Sequence, residues 1–120
     1  MSINKVILLG YTGKDPEVKD VAGTKVANLS LATTEKGYTL QNGIQVPDRT
    51  EWHSLIFWKG LAEVVEKYVR KGSQIYIEGK IKTRQYEDRT GSKRYVTEIF
   101  VDKLELLGSR LAQQEASLQS

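Results

Sequence analysis

From Val26 to Thr33 apolar and polar residues alternate, with Leu29 and Leu31 on one side and Asn28 and Ser30 on the other. That two-residue period predicts a strand buried on one face. Asn4 to Leu9 is β-branched and aliphatic and runs into Gly10-Tyr11-Thr12-Gly13 and then Asp15-Pro16, which predicts an earlier strand entering a tight turn. Thr50 to Trp58 resumes the alternation: Trp52, Ser54, Ile56 and Trp58 share one face, and Glu51, His53, Leu55 and Phe57 share the other. The period then changes. Leu61, Val64, Val65, Tyr68 and Val69 stand at i, i+3, i+4, i+7 and i+8, with Glu63, Glu66, Lys67 and Arg70 opposite, which predicts one amphipathic helix. Arg70 and Lys71 are expected in its last turn, and Gly72 is expected to end it.

Ser73 to Tyr86 sets Ile75, Ile77, Gly79 and Ile81 against Tyr76, Glu78, Lys80, Lys82 and Arg84, and Tyr95 to Leu107 is a further β-rich run. Asp88 to Ser92 between them reads as a hairpin tip. The order is three strands, a helix between the third and fourth, then a long hairpin. That is the order of the all-β OB-fold, a five-stranded, partly open Greek-key barrel that binds oligomers on one face. A doubly wound sheet needs more helices, and Gly79 suits a sharp strand bend. Glu35 to Arg49, with two glycines and Pro47, is long for a connection and is expected to be functional or mobile. Residues 1–107 are expected to form the barrel domain, and 108–120, rich in Gln, Ser and Ala, a flexible C-terminal segment.

Composition narrows the chemistry. A chain of 120 residues has the size of one domain, and it contains no cysteine, so disulfides, thiolate nucleophiles and cysteine zinc sites are excluded. The longest apolar run, Val6 to Leu9, is strand-sized, and the N-terminus lacks the apolar stretch of a secretion signal. A cytoplasmic location is expected. The single histidine, His53, cannot build a multi-histidine metal site; a core or subunit-contact role competes with that of a general base. Glu78, Glu87, Asp88, Glu98 and Asp102 leave a metal-dependent nuclease open as an alternative.

The positive signal is local. From Lys80 to Tyr95 there are six basic and two acidic residues, a greater excess than the +3 of the whole chain. Trp52 and Trp58 share one strand face, and Tyr86 joins the basic stripe Lys80, Lys82, Arg84. Single-stranded nucleic acid offers a π-face at every base and a charge at every phosphate, so interleaved aromatic and basic residues fit it. Tyr38, with Lys36 and Arg49, would extend that surface from the long loop. A protein-interaction module whose aromatics face partner chains is the competing reading, and RNA stays open because stacking does not read the sugar.

Several segments, taken together and in order, resemble the bacterial single-stranded DNA-binding protein family over residues 3–107: Asn4 to Leu8 with Gly10, Gly13 to Val18, Val26-Ala27-Asn28 with Leu31-Ala32-Thr33, Thr50 to His53, Leu61 to Val64, Arg70 to Gly79, and Thr83-Arg84. The resemblance implies an OB-fold, a non-enzymatic and sequence-independent binder of single-stranded DNA that needs no cofactor or metal, and a role in replication, repair and recombination as a homotetramer. It implies DNA-stacking positions at Trp52, Trp58 and Tyr86, basic positions along the DNA at Lys5, Lys71, Lys82, Arg84 and Arg94, and subunit contacts at His53, Gln74 and Tyr76. Three features depart from the family pattern. A further tryptophan common after the second strand is replaced by Glu35-Lys36-Gly37-Tyr38, so stacking there is expected to pass to Tyr38 or be lost. Lys59-Gly60 stands where relatives often read Gly-Lys. No acidic tip with a terminal phenylalanine follows Gln113-Gln114-Glu115, so recruitment of replication and repair enzymes through such a tail is not expected of this sequence.

Overall fold

The computed structural model describes residues 1–107. The strands are β1 (Val6–Thr12), β2 (Glu17–Val21), β3 (Thr24–Glu35), β4 (Tyr38–Thr39), β5 (Gln45–Val46), β6 (Arg49–Trp58), β7 (Gln74–Glu87) and β8 (Lys93–Leu107), with helix α1 (Gly60–Tyr68) between β6 and β7. The main sheet runs β1-β7-β8-β6-β3-β2, with a further β1–β3 pairing that curls it into a barrel. Two seams are short. β6 and β8 pair in parallel only at Leu55–Ile99 and Ile56–Phe100, and β1 and β3 pair only at Tyr11–Ala32 and Thr12–Leu31. The barrel is therefore partly open, as the OB-fold expectation requires.

The alternating residues fill it. Leu29 and Leu31 of β3, Leu55 and Phe57 of β6, Ile75 and Ile77 of β7, and Ile99 and Val101 of β8 meet Ala62, Val65 and the following Val69 in one core. Burying a side chain such as the fully enclosed Phe57 contributes about 2–3 kcal/mol. Two close approaches let the strands coil. A Cβ on Gly10 would lie 2.1 Å from the Ala32 carbonyl oxygen, where β1 crosses from β7 to β3, and one on Gly79 would lie 2.4 Å from that of Phe100. At Gly79 the β7–β8 register shifts, Glu78 facing Lys103 and Gly79 facing Val101, so Asp102 is the extra residue of a bulge.

The structure corrects several expectations. Ile81 was expected on the core face, but it is 47% exposed. On β7 every residue from Lys80 to Glu87 is exposed, even though Ile81 stands directly opposite the core residue Ile99. The helix ends at Tyr68, with Val69 already extended and only Lys67 in the last turn. Arg70 and Lys71 lie in the turn that follows, and Gly72 (φ 87°) serves that turn, its amide donating to the Thr12 carbonyl at 2.9 Å. The long connection is ordered into a small hairpin, β4–β5, with Tyr38 opposite Val46. The Gly37 amide, donating to Asp48 Oδ1 at 2.7 Å, closes its base. Strand β2, not anticipated from the sequence, pairs along its whole length with β3. Among the described residues no helix is long and apolar enough to cross a membrane. The expected flexible segment 108–120 lies outside the described residues.

Candidate nucleic-acid interface

The outer face of the barrel is assembled by register. On β6 the outward residues are Trp52, Ser54, Ile56 and Trp58, and β3 sets Ala32, Ser30, Asn28 and Val26 beside them in the ladder. On the other flank Ile56 pairs with Phe100. Phe100 leads into the long hairpin, where Lys80 faces Phe100, Lys82 faces Glu98, Arg84 faces Val96 and Tyr86 faces Arg94. All of these are even-numbered positions on two paired strands, so the aromatic and basic side chains predicted to share a face do share one.

These strands border an open groove of about 630 Å³, whose lining includes Lys14, Lys19, Asn28, Ile56, Trp58, Arg84, Glu98 and Phe100. Trp58 is 39% exposed although its ring lies beside Phe100, centroids 6.3 Å apart and planes inclined by 25°. Lys82 Nζ stands 4.5 Å from the Phe100 centroid. The Arg84 guanidinium carbon is 6.0 Å from the Tyr86 centroid, and Arg84 Nε donates to Glu98 Oε1 at 2.9 Å. The Glu98 carboxylate, through that bond and its charge, raises the pKa of Arg84 above its usual value. Ring faces and cations are thus interleaved along one surface.

Trp52 occupies one end, 60% exposed, and a Cβ on Gly13 would lie 2.3 Å from its Cζ3 atom, so the indole rests on the bare backbone of that glycine. Lys71 is near this end, in the turn held by its own amide donating to Asp15 Oδ1 at 2.8 Å. Tyr86 and Arg94 lie at the other end, on the projecting hairpin. The hairpin tip is tied by Asp88. Its Oδ1 accepts from the Thr90 amide and hydroxyl and from the Ser92 amide, and its Oδ2 accepts from Arg94 Nε at 2.9 Å. These donors, the Thr90 hydroxyl foremost and then Arg94, pull the Asp88 pKa down to about 2.

Two of the predicted contacts stand apart. Lys5 is ion-paired with Glu78 at 3.1 Å on the outer side of β1 and β7. Tyr38 lies on the separate β4–β5 sheet. The region around Lys5 forms a second surface. Ile7, Leu9 and Tyr11 are exposed on β1 and stand in register with Glu78, Tyr76 and Gln74 of β7. There the Tyr76 hydroxyl donates to Glu78 Oε2 at 2.6 Å. That bond, together with Lys5, lowers the Glu78 pKa, and the same bond, with burial and the Glu78 charge, raises that of Tyr76. Gln74 and Tyr76 therefore share a patch, whereas His53 is in register with the buried Leu31 on the inner face and its Nε2 lies 2.8 Å from Thr33 Oγ1. Phe100 and the apolar patch on β1 were missed from sequence. Phe100 carries a readable signal, because it is in phase with Arg94, Val96 and Glu98. Among the described residues no three His, Asp or Glu side chains come together as a metal site.

The chain is 56% identical over 111 residues, 92% of its own length and 69% of the relative's, to a single-stranded DNA-binding protein of Bacteroides thetaiotaomicron. Its fold matches a structure described as the Plasmodium falciparum SSB complex with ssDNA. The TM-score is 0.80 and the identity 30%, with 90% of this chain and 97% of that one covered. The model of the single-strand binding protein family matches residues 3–107, which spans every strand and the helix described above, and the chain belongs to that family.

Proposed function

We infer that this protein is a non-enzymatic binder of single-stranded DNA, largely indifferent to sequence, that covers exposed strands during replication, repair and recombination. The observation that carries the inference is the single outer face on which Trp58 and Phe100 lie beside Lys82 and Arg84. Bases stack on the rings at about 1–3 kcal/mol each, while the cations neutralise phosphates and release counterions, so affinity falls as salt rises. The name of the Bacteroides relative and the DNA in the Plasmodium structure support the same reading.

The DNA path we propose runs from Trp52 and Lys71 through Trp58, Lys82 and Arg84 to Tyr86 and Arg94. Lys5 and Tyr38 would meet only a strand that continues around the barrel. Residues 1–107 constitute the binding domain in this reading, acting in the cytoplasm without a cofactor. A duplex fits poorly, because its bases are already stacked and turned inward. Titration with oligo-dT, followed by tryptophan fluorescence at two salt concentrations and against a duplex of equal length, tests the reading. Strong quenching by the single strand alone is expected, and a duplex that binds equally well overturns it.

The assembly we propose is a homotetramer. The exposed apolar strip of Ile7, Leu9 and Tyr11, flanked by Tyr76 and Gln74, supports a subunit contact on this side of the barrel. It is distinct from the groove, so subunit association and DNA binding need not compete.

A further inference from the structure

Glu98 is anomalous where it stands. The residue is 9% exposed, yet it is a carboxylate in the lining of a groove that receives a polyanion. By charge alone an acid there repels phosphate, and burying it without a partner is costly. The ladder sets it directly opposite Lys82, the nearest cation by register. The ion pair it makes is nevertheless with Arg84, through Nε at 2.9 Å, while Lys82 lies over the Phe100 ring.

That choice fixes the arginine. The Arg84 side chain is 61% exposed against 11% for that of Glu98, so the buried carboxylate anchors an otherwise exposed guanidinium. Its Nε edge is occupied by Glu98 and the Tyr86 ring lies beside its Cζ. The two Nη groups have no protein partner among the described residues. A planar guanidinium held by one edge keeps the other aligned for a phosphate, and less rotamer entropy is lost when the phosphate arrives.

We propose that Glu98 is a positioning residue for DNA binding, holding the Arg84 guanidinium by its Nε edge so that the opposite Nη edge is presented to the phosphate backbone. The proposal rests on the reading of Arg84 as a DNA contact. It makes a prediction opposite in sign to simple electrostatics: removing this acid from the groove weakens binding to a polyanion.

The test uses the full chain and oligo-dT of fixed length, with Arg84→Ala, Glu98→Gln, Glu98→Leu and the two double variants. Arg84→Ala is expected to weaken binding about threefold to tenfold and to reduce the salt slope by about 1. Glu98→Gln, which keeps an acceptor without the charge, should fall between wild type and Glu98→Leu, which keeps none. On the Arg84→Ala background both Glu98 substitutions should have no weakening effect. Tighter binding by Glu98→Leu, or the same loss with and without Arg84, overturns the positioning role. In the wild-type protein the Arg84 Nε–H NMR signal should exchange slowly and its Nη signals should be dispersed. That readout needs no variant to fold, and an Nε–H exchanging as fast as that of an unattached arginine also overturns the proposal. If the tether is seen but Arg84→Ala binds normally, the assignment of Arg84 to the DNA path fails instead.

Discussion

Phe100 of β8 lies beside Trp58 of β6 with ring centroids 6.3 Å apart and planes inclined by 25°. The two strands meet there at only two residue pairs, Leu55–Ile99 and Ile56–Phe100. The aromatic contact thus straddles one of the two short seams of the barrel, and in the proposed DNA path a base lies across both strands.

Phe100→Ala should therefore weaken oligo-dT binding by about 1–3 kcal/mol, the range of a single stacked base. It should act non-additively with Trp58→Ala, because the two rings support one another. Fluorescence titration with a labelled oligonucleotide measures both, and assembly should be unchanged in sedimentation. Additive losses would mean that the rings serve independent bases.

Lys59 has φ 56° and ψ −124°, a region that L residues rarely adopt, and it holds this geometry at the entry to α1 while Gly60 has ample room for a side chain. Lys59→Gly should stabilise the fold by about 1 kcal/mol, as relief of backbone strain exceeds the added flexibility of glycine in the unfolded chain. The double exchange Lys59→Gly with Gly60→Lys should keep that gain and the charge. Ala22 (φ 51°), beside Gly23 in the β2–β3 turn, is a similar case, since asparagine suits a positive φ better than alanine does. Thermal melts of the variants decide; an unchanged or lower Tm for Lys59→Gly would contradict the strain.

Which parts of this fold were legible follows from which residues carry a period. β3, β6 and α1 bury one face and expose the other, so their alternation and helical stripe could be read directly. β2 could not be, because Glu17, Lys19 and Asp20 give it no apolar face and its ladder with β3 holds it in place. β4 and β5, at two residues each, are too short to show a period. Ile81 kept the phase of Ile75 and Ile77 in sequence, but beyond the bulge at Gly79 it is exposed, and only the third dimension reveals that. The candidate site was legible where aromatic and basic residues share a strand, as from Lys80 to Tyr86. It was opaque where partners lie on different strands, as for Trp58 with Phe100 and Arg84 with Glu98.

Asp88 ties the hairpin tip, and its pKa is drawn from the ordinary 3.8 to about 2 by Thr90 and Arg94. A carboxyl whose folded pKa is depressed stabilises the native form above its unfolded pKa and loses that contribution as pH falls through the folded value. The tip should therefore stay ordered at pH 4 and loosen between about pH 3 and 2. The Thr90 and Ser92 amides, which donate to Asp88, are the reporters. In Asp88→Asn the same loosening should already be present at neutral pH, and amide signals insensitive to pH over this range would argue against the tie.

Gly79 faces Val101 at the bulge where the hairpin leaves the barrel, and a Cβ there would fall 2.4 Å from the Phe100 carbonyl oxygen. Backbone cannot yield as a flexible side chain can, so Gly79→Ala should force β7 away from β8 at this point. Destabilisation of about 2–4 kcal/mol is expected, in the range of other backbone clashes in a packed core. Because Phe100 is displaced with its own carbonyl, DNA affinity should fall even in the fraction that stays folded, unlike a surface variant such as Lys103→Ala. Urea denaturation and oligo-dT titration on the same samples separate the two effects.

Leu9 is 52% exposed on β1 and stands in register with Tyr76, so a charge at Leu9 meets water in an isolated chain and, in the proposed tetramer, a partner's apolar surface. Leu9→Arg should leave the monomer fold intact, with a stability change within about 0.5 kcal/mol at an exposed site, while shifting sedimentation from the proposed tetramer toward smaller species. DNA binding per subunit should persist more weakly, since the groove is on another part of the barrel and what is lost is the linkage of several grooves on one strand. A variant that remains tetrameric would move the subunit contact away from this strip. A variant that unfolds would show instead that β1 depends on neighbouring subunits for its stability.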